Sequence, residues 1–253
     1  MQALHKKDPN LIFRGIGGPK MEEAGLSSLV KFNLLAVMGF IEVLKDLFFF
    51  INTKKTILKD IKLSKPDKII LIDYPGFNLR IAQKIKRIID VKILYYISPQ
   101  LWAWKENRLD IIKSSVDSLI VLFPFEVDWY KKRGVCVKYF GHPLVEAGLQ
   151  KTGGRLEKKD SYTIALCPGS RKQEIKQHLP ILMQLVRQSK RQKMQLSFEI
   201  FCAPNIQTSF LKSFIKNLDV KINKRAILSD FQHIDFAIVA SGTASLECAI
   251  MLT

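Results

Sequence analysis

Cysteines are few in the 253 residues, and Cys136, Cys167, Cys202 and Cys248 stand far apart with no C-x-x-C pair. Neither a metal knuckle nor a disulfide framework is indicated, and a reducing cytosol suits such usage best. Long apolar runs are missing as well. The most apolar stretch, residues 34–51, carries Glu42, Lys45 and Asp46 in its middle, which excludes a membrane-spanning helix. No basic, apolar, small-residue leader opens the chain; residues 1–7 read like the end of a helix. Zinc-finger spacing, a basic zipper and an aromatic RNA-binding strand signature are all lacking. Acidic residues are scarce, 23 against 40 Lys+Arg, so the formal charge is +17 and anionic partners are favoured. That excess is dispersed, with 24 basic and 15 acidic groups in residues 1–150 and 16 and 8 in residues 151–253. No dedicated nucleic-acid arm stands out, and phosphates or an anionic membrane face are the expected partners rather than nucleic acid.

Hydrophobic residues make up 47% of the chain, enough for a real core in one large or two modest domains. Apolar runs predict strands at residues 11–16, 68–73, 92–96, 118–122, 136–140, 162–167, 196–201 and 235–240. Helical spacing lies between them, as at 79–89 and 179–188. Continuous apolar runs separated by helices describe parallel strands covered on both faces, so the expected class is α/β, doubly wound. The Gly- and Lys-rich stretch 146–160 lacks a strand pattern and divides two such sets. It reads as a linker between domains 1–148 and 149–253, with a cleft expected between them.

In open parallel sheets ligands sit beyond the carboxyl ends of the strands. The run ending at Cys167 breaks at Pro168-Gly169 and restarts as a helix bearing Ser170 and Arg171. Free backbone N–H groups and a cation aimed at one spot suit a phosphate. The pattern recurs at Ser241-Gly242-Thr243, after the run 236–240, with Glu247 four residues into the next helix. Two such turns in one half point to a nucleotide. In the first half the strand ends supply Asp73 to Asn78, Ser98 to Trp104, Phe123 to Glu126, and Gly141-His142-Pro143.

These segments, together with Gly15-Ile16-Gly17-Gly18-Pro19-Lys20-Met21 and Ala36 to Leu44, resemble the ordered signature of the lipid-A-disaccharide synthase family. The resemblance implies two Rossmann-like domains of the GT-B type and no metal or cofactor. It implies a glycosyltransferase joining a UDP-linked diacylglucosamine donor to a diacylglucosamine 1-phosphate acceptor, at the cytoplasmic, inner face of the inner membrane. On that basis 1–148 is the acceptor and membrane-side domain, and 149–253 a partial UDP-sugar-binding domain. The family's opening strand with its G-E-x-S-G-D turn, and everything after the helix begun at Ser245, are absent here. Both ends are therefore expected to be cuts, the first domain lacking its leading strand and exposing apolar edge surface.

Site residues follow from the same match. Asp73 corresponds to the family's general base, although an Asp at a strand end also caps helices or anchors turns. Arg171, whose planar fork suits phosphates, corresponds to the arginine meeting the donor diphosphate; otherwise it sits uncomfortably at the positive end of a helix. Gly169 and Ser170 form its turn. Ser241, Gly242 and Thr243 are assigned to the diphosphate and Glu247 to the ribose, against an ordinary capped helix. His142 either donates to sugar or phosphate or fixes the domain boundary, and Asn78 either binds the acceptor or caps a helix. Trp102 and Trp104 face a sugar or acyl chain, or pack a core. His5, His178 and His233 are expected at the surface.

Phe40, Val43, Leu44, Leu47, Phe48 and Ile51 form one helical stripe for a core to bury, with Phe49 and Phe50 extending beyond it. Lysines nearby suit a helix lying on an anionic membrane, domain packing being the alternative. Two other functions stay open: an inactive fragment acting as a basic nucleotide-binding domain, and a UDP-sugar epimerase, against which the Phe48-Phe49-Phe50 cluster tells.

Overall fold

The structure, a computed structural model, describes residues 1–30, 43–148, 160–224 and 230–252, with only the backbone described at 43–49, 147–148 and 252. The expected linker core at 149–159 and the stripe residue Phe40 lie outside the described residues. Two compact units emerge, Met1–Phe140 and Gly141–Thr253.

The first unit opens with α1 (Gln2–Lys7), β1 (Phe13–Gly15), α2 (Pro19–Glu23) and β2 (Leu26–Ser28). Among the described residues strand β1 pairs only with β2, in parallel, as a small two-stranded sheet. The long α3 (Val43–Ser64) then leads to β3 (Lys68–Ile72), α4 (Pro75–Lys86), β4 (Lys92–Tyr96), α5 (Leu109–Ser115), β5 (Ser118–Val121), α6 (Pro124–Lys131) and β6 (Val137–Tyr139). These four strands form one parallel sheet in the order β3-β4-β5-β6. Helix α4 buries Leu79, Ile81, Ala82 and Ile85, a face set by the 3.6-residue period, against Ile93 and Tyr95 of β4 and Leu119 and Val121 of β5. Each such leucine or isoleucine side chain, fully withdrawn from water, contributes roughly 1.5–3 kcal/mol. Asp117 links the layers: it accepts from the Ile93 amide at 2.8 Å and pairs with Lys86 and Lys92 at 2.7 and 3.1 Å. Strand β3 is an outer strand among the described residues, and its Ile70 and Ile72 are exposed.

The second unit comprises α7 (Pro143–Gly148), β7 (Tyr162–Cys167), α8 (Lys172–Arg191), β8 (Leu196–Phe201), α9 (Thr208–Ile215), β9 (Lys221–Asn223), β10 (Phe236–Val239) and α10 (Thr243–Leu252). Its sheet, also parallel, runs β10-β7-β8-β9. The chain moves outward from β7 to β9 and then returns to the other flank of β7, so strand order reverses between β7 and β10. Helix α8 extends well beyond the expected 179–188 and buries Ile175, Leu179, Leu182, Met183 and Val186, with Pro180 tolerated on its exposed side.

The expected boundary at 148/149 meets units that divide after Phe140, and α7 packs on α10 of the second unit. His233, exposed as expected, bonds the buried Glu199 through Nε2 at 2.9 Å, whereas His178 is half-buried and its Nδ1 bonds the Pro168 carbonyl at 2.8 Å. His5 is half-buried, its ring 5.5 Å from that of Phe13. The runs 162–167 and 196–201 are strands with the expected bounds, whereas 11–16 and 136–140 shorten to three residues each.

Candidate functional site

In the second unit the strand order reverses between β7 and β10, and open sheets bind ligands at the carboxyl ends of strands at such a reversal. Val239 pairs with Cys167, and the Ala240 amide continues the ladder to the Cys167 carbonyl at 2.9 Å. The two glycine turns of the sequence, 168–171 and 241–243, therefore leave the sheet side by side. A thiol hydrogen bond from Cys167 to Cys248 ties the end of β7 to α10 beneath them.

At the first turn Gly169 has φ +119°, and a Cβ there would meet the Glu174 Oε2 at 2.6 Å and its Cβ at 2.8 Å. Only glycine satisfies both conditions. Helix α8 then starts with its foremost amides turned on a carboxylate: Ser170 N and Arg171 N donate to Glu174 Oε2 at 2.9 and 3.2 Å, and Arg171 Nη1 donates to Oε1 at 2.9 Å. Burial pushes Glu174 up, but those amides and the Arg171 guanidinium outweigh it and hold the carboxyl below its usual range. Arg171 was expected to await a ligand's anion. Instead the chain supplies one from its own helix, which resolves the electrostatic awkwardness of an arginine at a positive helix end. Arg171 remains 80% exposed in its side chain, so the pair is weak and open to exchange.

At the second turn Gly242 has φ +152° with open space around a would-be Cβ, and Ser245 Oγ donates to its carbonyl at 2.6 Å. Ser241, Gly242 and Thr243 are exposed at the start of α10. Glu247 is half-buried one turn on, its carboxyl pushed up by burial and its charge felt by Cys167 at the end of β7. Gly169, Ser170, Arg171, Ser241, Gly242, Thr243 and Glu247 thus gather at one sheet edge.

The first unit holds Asp73 at the carboxyl end of β3. Asp73 and Tyr74 have φ +46° and +47°, two successive left-handed residues, each costing on the order of 1–3 kcal/mol. The turn is braced on three sides. Asn78 Nδ2 donates to the Ile72 and Asp73 carbonyls at 3.0 and 2.7 Å, the Tyr95 hydroxyl donates to the Asp73 carbonyl at 2.7 Å, and the Asp73 amide donates to Tyr96. Asn78 is therefore committed through its amide nitrogen to shaping the Asp73 turn. The Asp73 carboxylate itself is exposed. Phe50 of α3 stands with its ring 6.1 Å from that of Tyr74 and 5.6 Å from Phe77, so it packs on this turn, while Ile51, expected in the buried stripe, is exposed. Of Leu44, Leu47, Phe48 and Phe49 only the backbone is described.

Neighbouring strand ends complete this face of the first unit. Glu126, 1% exposed, accepts from the Leu122 and Phe123 amides at 3.1 and 3.0 Å, and the Trp102 side chain donates to it. The Trp102 ring meets Phe125 edge-on at 5.1 Å, and Trp102 and Trp104 are both exposed rather than buried in the core. His142, assigned to the second unit, accepts the Leu144 amide on Nδ1 at 3.1 Å and so caps α7. Glu174 and Tyr95 escaped sequence reasoning, and His178 was expected at the surface without a role. An R-x-x-E capping pattern at 171–174 was the one local signal among them.

No helix of the described residues is long and apolar enough to cross a membrane. A family model described as lipid-A-disaccharide synthetase matches residues 1–253. Lipid-A-disaccharide synthase 1 of Legionella pneumophila (strain Paris) is 39% identical over 96% of this chain and 65% of its own length. The lipid-A-disaccharide synthase of Geobacter sulfurreducens is 37% identical with the same coverage, and that of Coxiella burnetii (strain Dugway 5J108-111) is 36% identical over 98% of this chain and 67% of its own. The chain thus spans about two thirds of the length of these relatives. Among solved structures, an S. aureus MnaA-UDP co-structure superposes with TM-score 0.53 at 12% identity, covering 78% of this chain and 58% of that one, which supports the fold alone. On the match over its whole length, the chain belongs to the lipid-A-disaccharide synthetase family.

Proposed function

We propose that this chain carries the donor-binding and base-bearing parts of an inverting glycosyltransferase that joins UDP-2,3-diacylglucosamine to 2,3-diacylglucosamine 1-phosphate, giving the lipid A disaccharide 1-phosphate and UDP. The observation that carries the reading is the pair of glycine turns at the β7/β10 reversal, with Arg171 and the α8 amides already gripping a carboxylate. A diphosphate offers that grip a doubly charged replacement for Glu174. Asp73 takes the proton of the acceptor hydroxyl as its oxygen bonds to the anomeric carbon. The bond from that carbon to the diphosphate oxygen breaks, and its electron pair leaves with UDP, stabilised by Arg171. Attack opposite the leaving group inverts the centre. The expected place of work is the cytoplasmic face of the inner membrane, where the +17 charge favours anionic lipid.

Calorimetric titration with UDP tests the donor half. Arg171→Ala is expected to weaken UDP about tenfold or more, as loss of a charge-assisted bond to phosphate does. Absence of heat and of thermal shift at millimolar UDP refutes the reading. Because the chain spans only two thirds of its relatives, a second reading keeps nucleotide binding without transfer. Release of UDP from donor plus acceptor, abolished by Asp73→Asn, separates the two.

A further inference from the structure

The first unit carries a basic cavity that none of the roles above uses. It has a volume of roughly 320 Å³ and opens beside the Asp73 turn, where Gly76 leaves open space and Arg80, Lys105, Asn107 and Arg108 line the walls. Three cations around one small cavity repel one another, and nothing among the described residues neutralises them: no carboxylate lies within ion-pair distance of Arg80, Lys105 or Arg108. Glu106, in the same loop, is turned onto Arg133 at 2.6 Å. The crowding continues outward. Lys54 of α3 is pushed down by burial and by its neighbours Lys84 and Arg80.

Two of the cations, Lys105 and Arg108, also share a ring. Lys105 sits at φ +56°, a left-handed conformation that a non-glycine residue adopts at a cost, and its ammonium lies 4.4 Å from the Trp104 ring centre, with the Arg108 guanidinium 5.7 Å from the same ring. Arg108 is near the Tyr95 hydroxyl, which bonds the Asp73 carbonyl, so the cavity and the base share a wall. A cluster of unpaired, positioned cations with an amide side chain beside it is complementary to a small multiply charged oxyanion.

We propose that this cavity binds the phosphate monoester of the acceptor sugar, with Lys105 and Arg108 as its principal contacts and Arg80 as a third. The assignment of the anion to an acceptor rests on the glycosyltransferase reading above; the phosphate site itself rests on the cavity. Holding the acceptor by its phosphate fixes the distance from that group to the hydroxyl presented to Asp73, and so selects a phosphorylated acceptor over a bare sugar.

The test titrates the chain with α-glucosamine 1-phosphate, with glucosamine, and with phosphatidylglycerol vesicles, in sulfate- and phosphate-free buffer, following heat and tryptophan emission. Saturable binding of the sugar phosphate, none of glucosamine, and a loss of about tenfold or more in both Lys105→Gln and Arg108→Gln is the expected result. Lys105 is exposed, so its variant keeps the fold if Arg108→Gln does not, and far-UV circular dichroism checks each. Unchanged affinity in both variants overturns the proposal. Competition by saturating UDP also overturns it, by placing the phosphate at the donor turns. Vesicle binding that needs Lys105 and Arg108 while the sugar phosphate fails to bind replaces the monoester with a membrane phosphodiester and overturns the assignment. UDP binding without sugar-phosphate binding sinks this inference alone; sugar-phosphate binding without UDP binding leaves the site standing and sinks the glycosyltransferase reading.

Discussion

Replacing Gly169 with alanine tests whether the turn before α8 is built around Glu174. Two separate costs arise. The first is conformational: φ +119° lies outside the regions open to a residue with a Cβ, and holding it there costs on the order of 1–3 kcal/mol. The second is steric. The new methyl would lie 2.6 Å from the Glu174 carboxylate oxygen and 2.8 Å from the Glu174 Cβ. The carboxylate can swing away, but the Cβ is fixed by α8, whose Ile175 and Leu179 are wholly buried. Relief therefore requires the first turn of α8 to shift, at an overpacking cost of about 1–3 kcal/mol.

The sum, roughly 2–6 kcal/mol, is a large share of the stability of an ordinary domain. Gly242→Ala provides the internal reference in the same unit, since its φ of +152° carries a backbone cost while open space surrounds the added methyl. Urea denaturation followed by circular dichroism should rank the variants wild type, then Gly242→Ala, then Gly169→Ala, the last two separated by about 1–3 kcal/mol at unchanged m-value. Equal midpoints for the two glycine variants refute the claim that Glu174 fills the turn.

Asp117→Asn should destabilise the first unit by about 1–3 kcal/mol, because Lys86 and the Ile93 amide lose a charged acceptor. Burial pushes this carboxyl up, yet Lys86, the Ile93 amide and Lys92 overcome it and hold the group far below its usual range. A depressed native value gives stability that is present above about pH 4, the unfolded value, and lost as pH falls through the folded one; the wild type should lose stability between neutral pH and acid more steeply than the variant, and parallel pH curves would contradict the linkage. Asn78→Ala removes both braces on the Ile72 and Asp73 carbonyls, so turnover in a donor-plus-acceptor assay should fall about tenfold or more while UDP affinity holds, and an unchanged rate would show that the left-handed pair needs no brace.

The strands that were legible are those whose own side chains carry the pattern. Residues 93–96 and 164–167 are apolar without interruption because parallel strands are covered on both faces, and the strands that hold them, 92–96 and 162–167, appear with the expected bounds. Strands β2 and β9, three residues each, contain Ser27 and Ser28 or Lys221 and Asn223; they exist because β1 and β8 offer a ladder, and nothing in their own sequence announces them. The same distinction governs the sites. The turns 168–171 and 241–243 could be read locally, since a glycine, a hydroxyl and a strand end are adjacent in sequence. That they lie together follows from the reversal β10-β7, which no local pattern specifies. The basic cavity joins Arg80 of α4 to Lys105 and Arg108 of a distant loop, and its charge emerges only where the fold leaves acids out.

Glu174 shows how a structural cap and a ligand site can share one piece of physics. Helix α8 needs an anion at its amino end whether or not a nucleotide is present, because its first amides have no partner within the helix. A carboxylate carried on the same helix meets that need at close range with a single charge. A diphosphate meets it with more charge and more oxygens, and Arg171, already oriented by Glu174 and largely in water, is free to exchange one for the other. The features that make 168–171 resemble a phosphate turn are thus the features that stabilise α8 in the absence of phosphate. Fold and binding are selected by the same amides, so a substitution that merely weakens the cap should also alter nucleotide affinity, and the two effects need to be measured on the same variant to be told apart.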